Sequence, residues 1–258
     1  MALFAGAYNR IMDFVDVRRD GGIATVVLQR GKVNALNPDV VAELSATFRE
    51  LQEDPEARGV ILTGSGRFFS FGFDVPEFLS YSREEFTAYL ESFTALYRDL
   101  FVFPKPLVAA LNGHTIAGGC MLALACDSAI MANDARIALN EVTFGASLFA
   151  GITEILQFRT GPRASEILYS GRMYSAAEAL EIGLVSQIAP ADALIETARE
   201  VAGELASKRP EAFAGMKSLL RRPVADSIQR REPTSIREFV DIWYSEPTWT
   251  NLRGITIR

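Results

Sequence analysis

The sequence predicts an α/β fold with one main body, over about residues 1–195, and a helical C-terminal region over 196–258. Three observations carry this expectation. Short β-branched runs alternate with segments of helical periodicity, which is the pattern of α/β units. The last quarter is rich in helix formers and has no Gly/Ser linker ahead of it. At 258 residues, 49% hydrophobic and 22% charged, the chain has globular composition. A single core at that length buries roughly 70 to 75% of the surface an unfolded chain exposes.

The elements follow in order. Phe14, Val15 and Val17, the turn Asp20-Gly21-Gly22 and the run Ile23 to Leu28 predict a hairpin. Asn37-Pro38 supplies an N-cap with proline at the first helical position. Val40, Val41, Leu44, Phe48 and Leu51 then recur at helical spacing until Asp54-Pro55. Val60 to Thr63 reads as a buried strand, Arg83 to Phe103 as a helix, and Leu107 to Leu111 as a strand, with Pro104 and Pro106 stopping the helix. Ser128 to Ala132 and Val185 to Ile188 read as strands, Pro162 to Tyr169 and Ala176 to Ile182 as short helices. Pro210, Pro223 and Pro233 are expected to cut the C-terminal quarter into helical pieces. The last piece carries Ile236, Phe239, Val240, Trp243 and Tyr244 on one side. That stripe offers more aromatic area than a peripheral helix usually buries alone, and it is read as a subunit interface.

Composition excludes several classes of function. A net charge of -6 argues against nucleic-acid partners, which need clustered Lys and Arg. Cys120 and Cys126 form no CxxC pair, and His114 is the single histidine, so neither a disulfide framework nor a metal site is indicated. The longest apolar stretch, Cys120 to Cys126, is far short of the roughly 20 residues a bilayer span needs. With no basic region ahead of an apolar run at the start, a cytoplasmic protein without membrane partners is expected.

Three stretches stand out: Gly31-Lys32-Val33-Asn34-Ala35-Leu36, Phe68-Phe69-Ser70-Phe71-Gly72-Phe73-Asp74, and Asn112-Gly113-His114-Thr115-Ile116-Ala117-Gly118-Gly119-Cys120. The third follows a strand and opens an apolar helix with no polar side chain to cap it. Such a start offers free N–H groups and the positive end of a helix dipole to an anion. The glycine pair alone reads equally well as tight helix-to-sheet contact.

Together and in this order, with Cys126-Asp127 and Asn140-Glu141 beyond them, these stretches resemble the crotonase superfamily, the enoyl-CoA hydratase and isomerase group. The resemblance implies a stack of β-β-α turns followed by helices that pack subunits into a homotrimer or a hexamer built as a dimer of trimers. It implies that the backbone N–H groups of Phe73 and Gly118 form an oxyanion hole for a thioester oxygen. The segment Asn34, Ala35 and Leu36 and the loop with Ser70, Phe71, Gly72 and Asp74 look like backbone that holds coenzyme A. Ala117, Met121 and Asn140 are read as further substrate contacts. Coenzyme A enters as part of an acyl-CoA substrate, with no permanently bound cofactor and no metal.

Hydratases of this family use two glutamates around a water. Here the first position is Met121, which cannot accept a proton, and the later one, Glu141, is kept. One base suffices for a 3,2-enoyl-CoA isomerase, so the resemblance implies that reaction. The alternatives are an enoyl-CoA hydratase, another crotonase-type reaction, or a CoA-thioester-binding protein of low activity. Asn140 is read as orienting Glu141 or bonding the acyl chain, Asp74 as capping the loop backbone, His114 as structural and Cys120 as a small buried hydrophobe. Lys217 is read as a solvated lysine, with the CoA 3′-phosphate as its alternative partner.

Overall fold

The computed structural model describes residues 13–255. Val15–Asp20 (β1) and Ile23–Leu28 (β2) form the expected hairpin, in register from Val15 opposite Leu28 to Asp20 opposite Ile23. Asn37 caps Pro38–Glu53 (α1), its Oδ1 accepting from Val40 N at 3.1 Å. Gly59–Gly64 (β3), Phe68–Ser70 (β4) and the one-turn Val75–Phe78 (α2) lead to Arg83–Phe101 (α3). A capping box between Ser82 and Glu85 opens α3. It ends at Phe101, not Phe103, because a residue directly ahead of proline is pushed out of the helical region.

Leu107–Leu111 (β5), His114–Ile116 (β6), Gly118–Ala125 (α4), Ser128–Ala132 (β7) and Arg136–Ala138 (β8) follow. A 3-10 turn at Glu141–Phe144 leads to Ala150–Thr160 (α5), Ala164–Ser170 (α6), Tyr174–Ser175 (β9) and Ala176–Glu181 (α7). Gln187–Ala189 (β10), Leu194–Ala206 (α8), Pro210–Trp243 (α9) and Glu246–Leu252 (α10) complete the described chain.

Two sheets result, a six-stranded one in the order β1-β2-β3-β5-β7-β10 and a four-stranded one in the order β4-β6-β8-β9. Beyond the hairpin every pair is parallel except β8 with β9. From β3 onward successive passes add a strand to each sheet, which produces the stack of β-β-α turns. Strands β2, β3 and β5 are buried along their whole length, which explains their continuous apolar runs. One hydrophobic core joins these strands to the tail residues Ile236, Phe239 and Trp243. Among the described residues no helix is long and apolar enough to cross a membrane.

Three expectations are corrected. The strand expected at Val185–Ile188 is β10 at Gln187–Ala189, because the N–H groups of Leu184 and Val185 instead close the end of α7 on Ala179 O. Pro210 does divide the tail, opening α9 after α8 ends at Ala206, but Pro223 and Pro233 do not cut it further. Helix α9 runs unbroken for 34 residues through Pro223 and Pro233. Both prolines are exposed, and so are Leu219 and Gln229, whose carbonyls lose their N–H partners on the solvent side. The aromatic stripe is not a free surface either. Ile236, Phe239, Val240 and Trp243 are each 5% exposed or less, and Phe86 and Phe149 cover them within the same chain.

Buried Glu232 fixes α9 to the body, accepting from Tyr97 Oη and from Gly151 N, each at 2.7 Å. Ser235 Oγ accepts from Ala150 N at 2.8 Å. Side chains of α9 thereby cap α5, which has no side-chain cap of its own. A Cβ at Gly151 would lie 1.7 Å from Tyr97 Oη. Gly151→Ala is therefore expected to destabilise the fold by roughly 2 kcal/mol, read as a lower urea midpoint at unchanged slope.

Candidate active site

The site begins with two loops tied to each other. Asn34, at φ 48, donates through Nδ2 to Ser65 O at 3.0 Å and Phe68 O at 2.9 Å. Ser70 Oγ donates to Asn34 O at 2.7 Å and accepts from Gly72 N at 3.1 Å. Leu36 N donates to Gly72 O, and Leu36 O accepts from Asp74 N, which makes a parallel bridge between Leu36 and Phe73. The bridge uses the N–H groups of Leu36 and Asp74 and turns that of Phe73 the other way. Asp74 caps α2 through Glu77 N and pairs with Arg30 at 2.6 Å, while Arg30 also donates to Ala35 O.

The other half of the site is the start of α4. Gly72 takes φ 94 and approaches α4 so closely that a Cβ there would lie 2.9 Å from Gly118 N. Ala117, the N-cap, takes φ 50 and ψ -119 with no side-chain cap. A non-glycine residue in that region is strained, and such strain collects at functional sites. Among the described residues the N–H groups of Phe73 and Gly118 meet no acceptor. Two neighbouring donors, one on the positive end of a helix, can hold an oxyanion.

Beside them lies a cavity of about 210 Å³. Phe71, Phe73 and Val75 line it together with Ile116, Ala117 and Met121. Asn140, Glu141 and Phe144, from the 3-10 turn and its cap, and Phe149, Phe239, Trp243 and Ile255 complete the lining. Glu141 is the one carboxylate in this lining, 6% exposed, and neither of its oxygens has a hydrogen-bond partner. Burial pushes its pKa up to about 8. Its own backbone N–H pulls the other way without forming a bond to either oxygen. Helix α10 pins the turn that carries it: Asn251 Nδ2 donates to Phe144 O at 3.1 Å and Thr248 Oγ1 to Gly145 O at 2.8 Å.

Residues 18–246 match the family model described as enoyl-CoA hydratase/isomerase. The chain belongs to that family. A probable enoyl-CoA hydratase of Bacillus subtilis is 35% identical over 81% of this chain and 82% of its own length. The short-chain-enoyl-CoA hydratase of Clostridium acetobutylicum is 33% identical over 81% of each chain. Human mitochondrial delta3-delta2-enoyl-CoA isomerase has the same fold, with TM-score 0.90 and 28% identity over 94% of this chain and 96% of its own. Membership confirms the crotonase resemblance and makes the chain an enzyme of the hydratase/isomerase type.

Within this hydratase/isomerase scaffold the structure gathers Phe71, Phe73, Ala117, Met121, Asn140 and Glu141 on the cavity, with Gly118 directly behind the Phe73 ring. It does not bring Asn34, Ala35, Leu36, Ser70, Gly72 or Asp74 to the cavity wall; their bonds join the two loops. Asn140 does not hydrogen-bond the Glu141 carboxylate, since neither carboxylate oxygen has a partner; its own Oδ1 is buried and unpartnered too. His114 Nδ1 accepts from Arg136 N at 3.2 Å, a structural role. Lys217 corrects the reading of a solvated lysine. It is buried, pairs with Asp127 at 2.8 Å and donates to Lys105 O, so it is not free to reach a phosphate. Sequence reading missed Val75, Ile116, Phe144, Phe149, Phe239, Trp243 and Ile255 as cavity residues. The helical spacing of Phe239 and Trp243 was visible, but not the partner they face.

Proposed function

We propose that this enzyme is a 3,2-enoyl-CoA isomerase. The observation that carries the reading is Glu141 as the single acid in an apolar cavity, with buried Met121 where a family hydratase would carry its first glutamate. In this reading the Phe73 and Gly118 N–H groups hold the thioester oxygen while Glu141 removes a proton from C2. The C2–H pair moves into a dienolate, and the same carboxylic acid returns the proton to C4 as the double bond shifts from C3–C4 to C2–C3. Nothing is gained or lost overall. A carboxyl near pKa 8 suits both halves, because it accepts and releases a proton close to neutral pH. The likeness to the human isomerase supports the reading, and the hydratase names among the relatives define its rival.

The test is a pair of assays on one preparation. Conversion of 3-enoyl-CoA to the conjugated 2-enoyl-CoA is expected to be fast, and hydration of 2-enoyl-CoA slow. Fast hydration would show that some other group replaces the missing glutamate and would reverse the assignment.

In the same reading the backbone of Asn34, Ala35 and Leu36 and of the loop from Ser70 to Asp74 cradles the coenzyme A portion of the substrate. Assembly as a homotrimer or a dimer of trimers belongs to it as well. The buried stripe of α9 cannot serve that contact, but Met216, Leu219 and Leu220, 62%, 81% and 65% exposed, leave apolar surface on the same helix. Light scattering at micromolar concentration is expected to give a trimeric or hexameric mass, and a monomer would refute it.

A further inference from the structure

Two residues of the cavity lining each carry a buried polar atom that has no place in the isomerisation. Trp243 is 2% exposed, lines the cavity, and its indole N–H meets no acceptor among the described residues. Its ring neighbours do not serve as π acceptors. Phe86 and Phe239 lie tilted at only 34° and 32° to the indole plane, which keeps their faces away from an in-plane N–H. Asn140 Oδ1, in the same lining, is buried and unpartnered too. A buried donor without an acceptor is costly, and a purely hydrocarbon acyl chain would leave both atoms in that condition.

We propose that the acyl chain this site selects carries an oxygen, on a carbon beyond the reacting double bond, that accepts the Trp243 N–H. A hydroxyl there can also donate to Asn140 Oδ1. The proposal rests on the reading of the cavity as the acyl site. Trp243 belongs to α9 and Asn140 caps the turn that carries Glu141, so neither atom that reads the oxygen belongs to the oxyanion loops. A cavity of about 150 Å³ takes a six-carbon ring. The present one, at about 210 Å³, then takes a chain of about eight carbons. A site that hydrogen-bonds a substrate hydroxyl discriminates strongly against the chain lacking it, because its own buried groups are then left unpaired.

The test is calorimetric binding of octanoyl-CoA against 6- and 8-hydroxyoctanoyl-CoA, to the wild type and to Trp243→Phe. One hydroxylated chain is expected to bind at least about tenfold more tightly than octanoyl-CoA, and the phenylalanine variant to lose that preference. Equal or weaker binding of both hydroxylated chains to the wild type overturns the proposal, water then being the partner of the indole. A preference that survives Trp243→Phe overturns it as well, and should the variant not fold, the wild-type ratio alone decides. None of these thioesters turns over, so the result stands apart from the isomerase assay. Failure of all three to bind would instead sink the reading of the cavity as the acyl site.

Discussion

Glu141→Gln is expected to lower isomerase turnover by roughly 10²- to 10⁴-fold while binding of a saturated acyl-CoA is retained. The substitution keeps the size of the side chain and removes the one group in the cavity lining that can carry a proton from C2 to C4. In the wild type kcat/KM should rise with pH, about tenfold per unit below the Glu141 pKa of about 8, and level above it, because the ionised form is the base. Stability should run the opposite way. Burial raises the folded-state pKa of Glu141, so between about pH 4.5 and 8 the folded chain holds a proton that the unfolded chain has released. Its stabilising contribution is full below the unfolded value and is lost as pH rises through about 8. In Glu141→Gln that part of the pH dependence should disappear, so the variant gains melting temperature relative to the wild type as pH rises to 9. Near-normal turnover in Glu141→Gln would remove the isomerase assignment.

The same carboxylate shows what a sequence can disclose about a site and what it cannot. Family motifs place Glu141, and Met121 removes its usual companion; both facts are local to the chain. The elevated pKa is not local. It needs Phe144 from the turn, Phe149 ahead of α5, and Phe239 and Trp243 from α9 to exclude water, and the last of these lies 102 positions away. An i, i+4 pair such as Phe239 and Trp243 announces an apolar helix face but says nothing of whether a neighbour in the same chain or another subunit covers it. Here the same chain does, which is why a stripe read as an interface belongs to the core.

The fold was legible where elements are long or punctuated. Asn37-Pro38, the Asp20-Gly21-Gly22 turn and the prolines after Phe103 act through short-range sterics and capping, and the structure follows them closely. The second sheet was not legible, because strands such as Phe68–Ser70 and His114–Ile116 are too short to display an alternating pattern. Those strands coincide with the motif stretches, whose residues serve loop geometry and strand pairing together. Prolines misled in the opposite direction. Pro223 and Pro233 would break a helix whose carbonyls are buried, but on the exposed side of α9 water can take the bonds they forfeit.

Gly118 offers the other large effect, through a comparison of two substitutions. Gly118→Ala keeps the N–H and adds a Cβ that would sit 3.0 Å from Phe73 Cδ1 and 3.3 Å from Leu36 Cδ1. That is tight, and a shift of the Phe73 ring should cost activity modestly. Gly118→Pro adds that Cβ and two further ring carbons, and it deletes the N–H. The first position of a helix tolerates proline, but Ala117 at φ 50 and ψ -119 lies outside the extended region that a residue before proline prefers, so the comparison holds where circular dichroism shows both variants folded. If Gly118 supplies half of the oxyanion hole, Gly118→Pro should lose roughly 10²- to 10³-fold in kcat beyond whatever Gly118→Ala loses, for every thioester the enzyme accepts. The comparison removes the Cβ crowding against Phe73 that both variants share; what it leaves is the lost donor together with the ring carbon that proline places on the nitrogen. Equal losses in both would mean that the thioester oxygen is held elsewhere, and that the unpaired N–H at the start of α4 serves another anion.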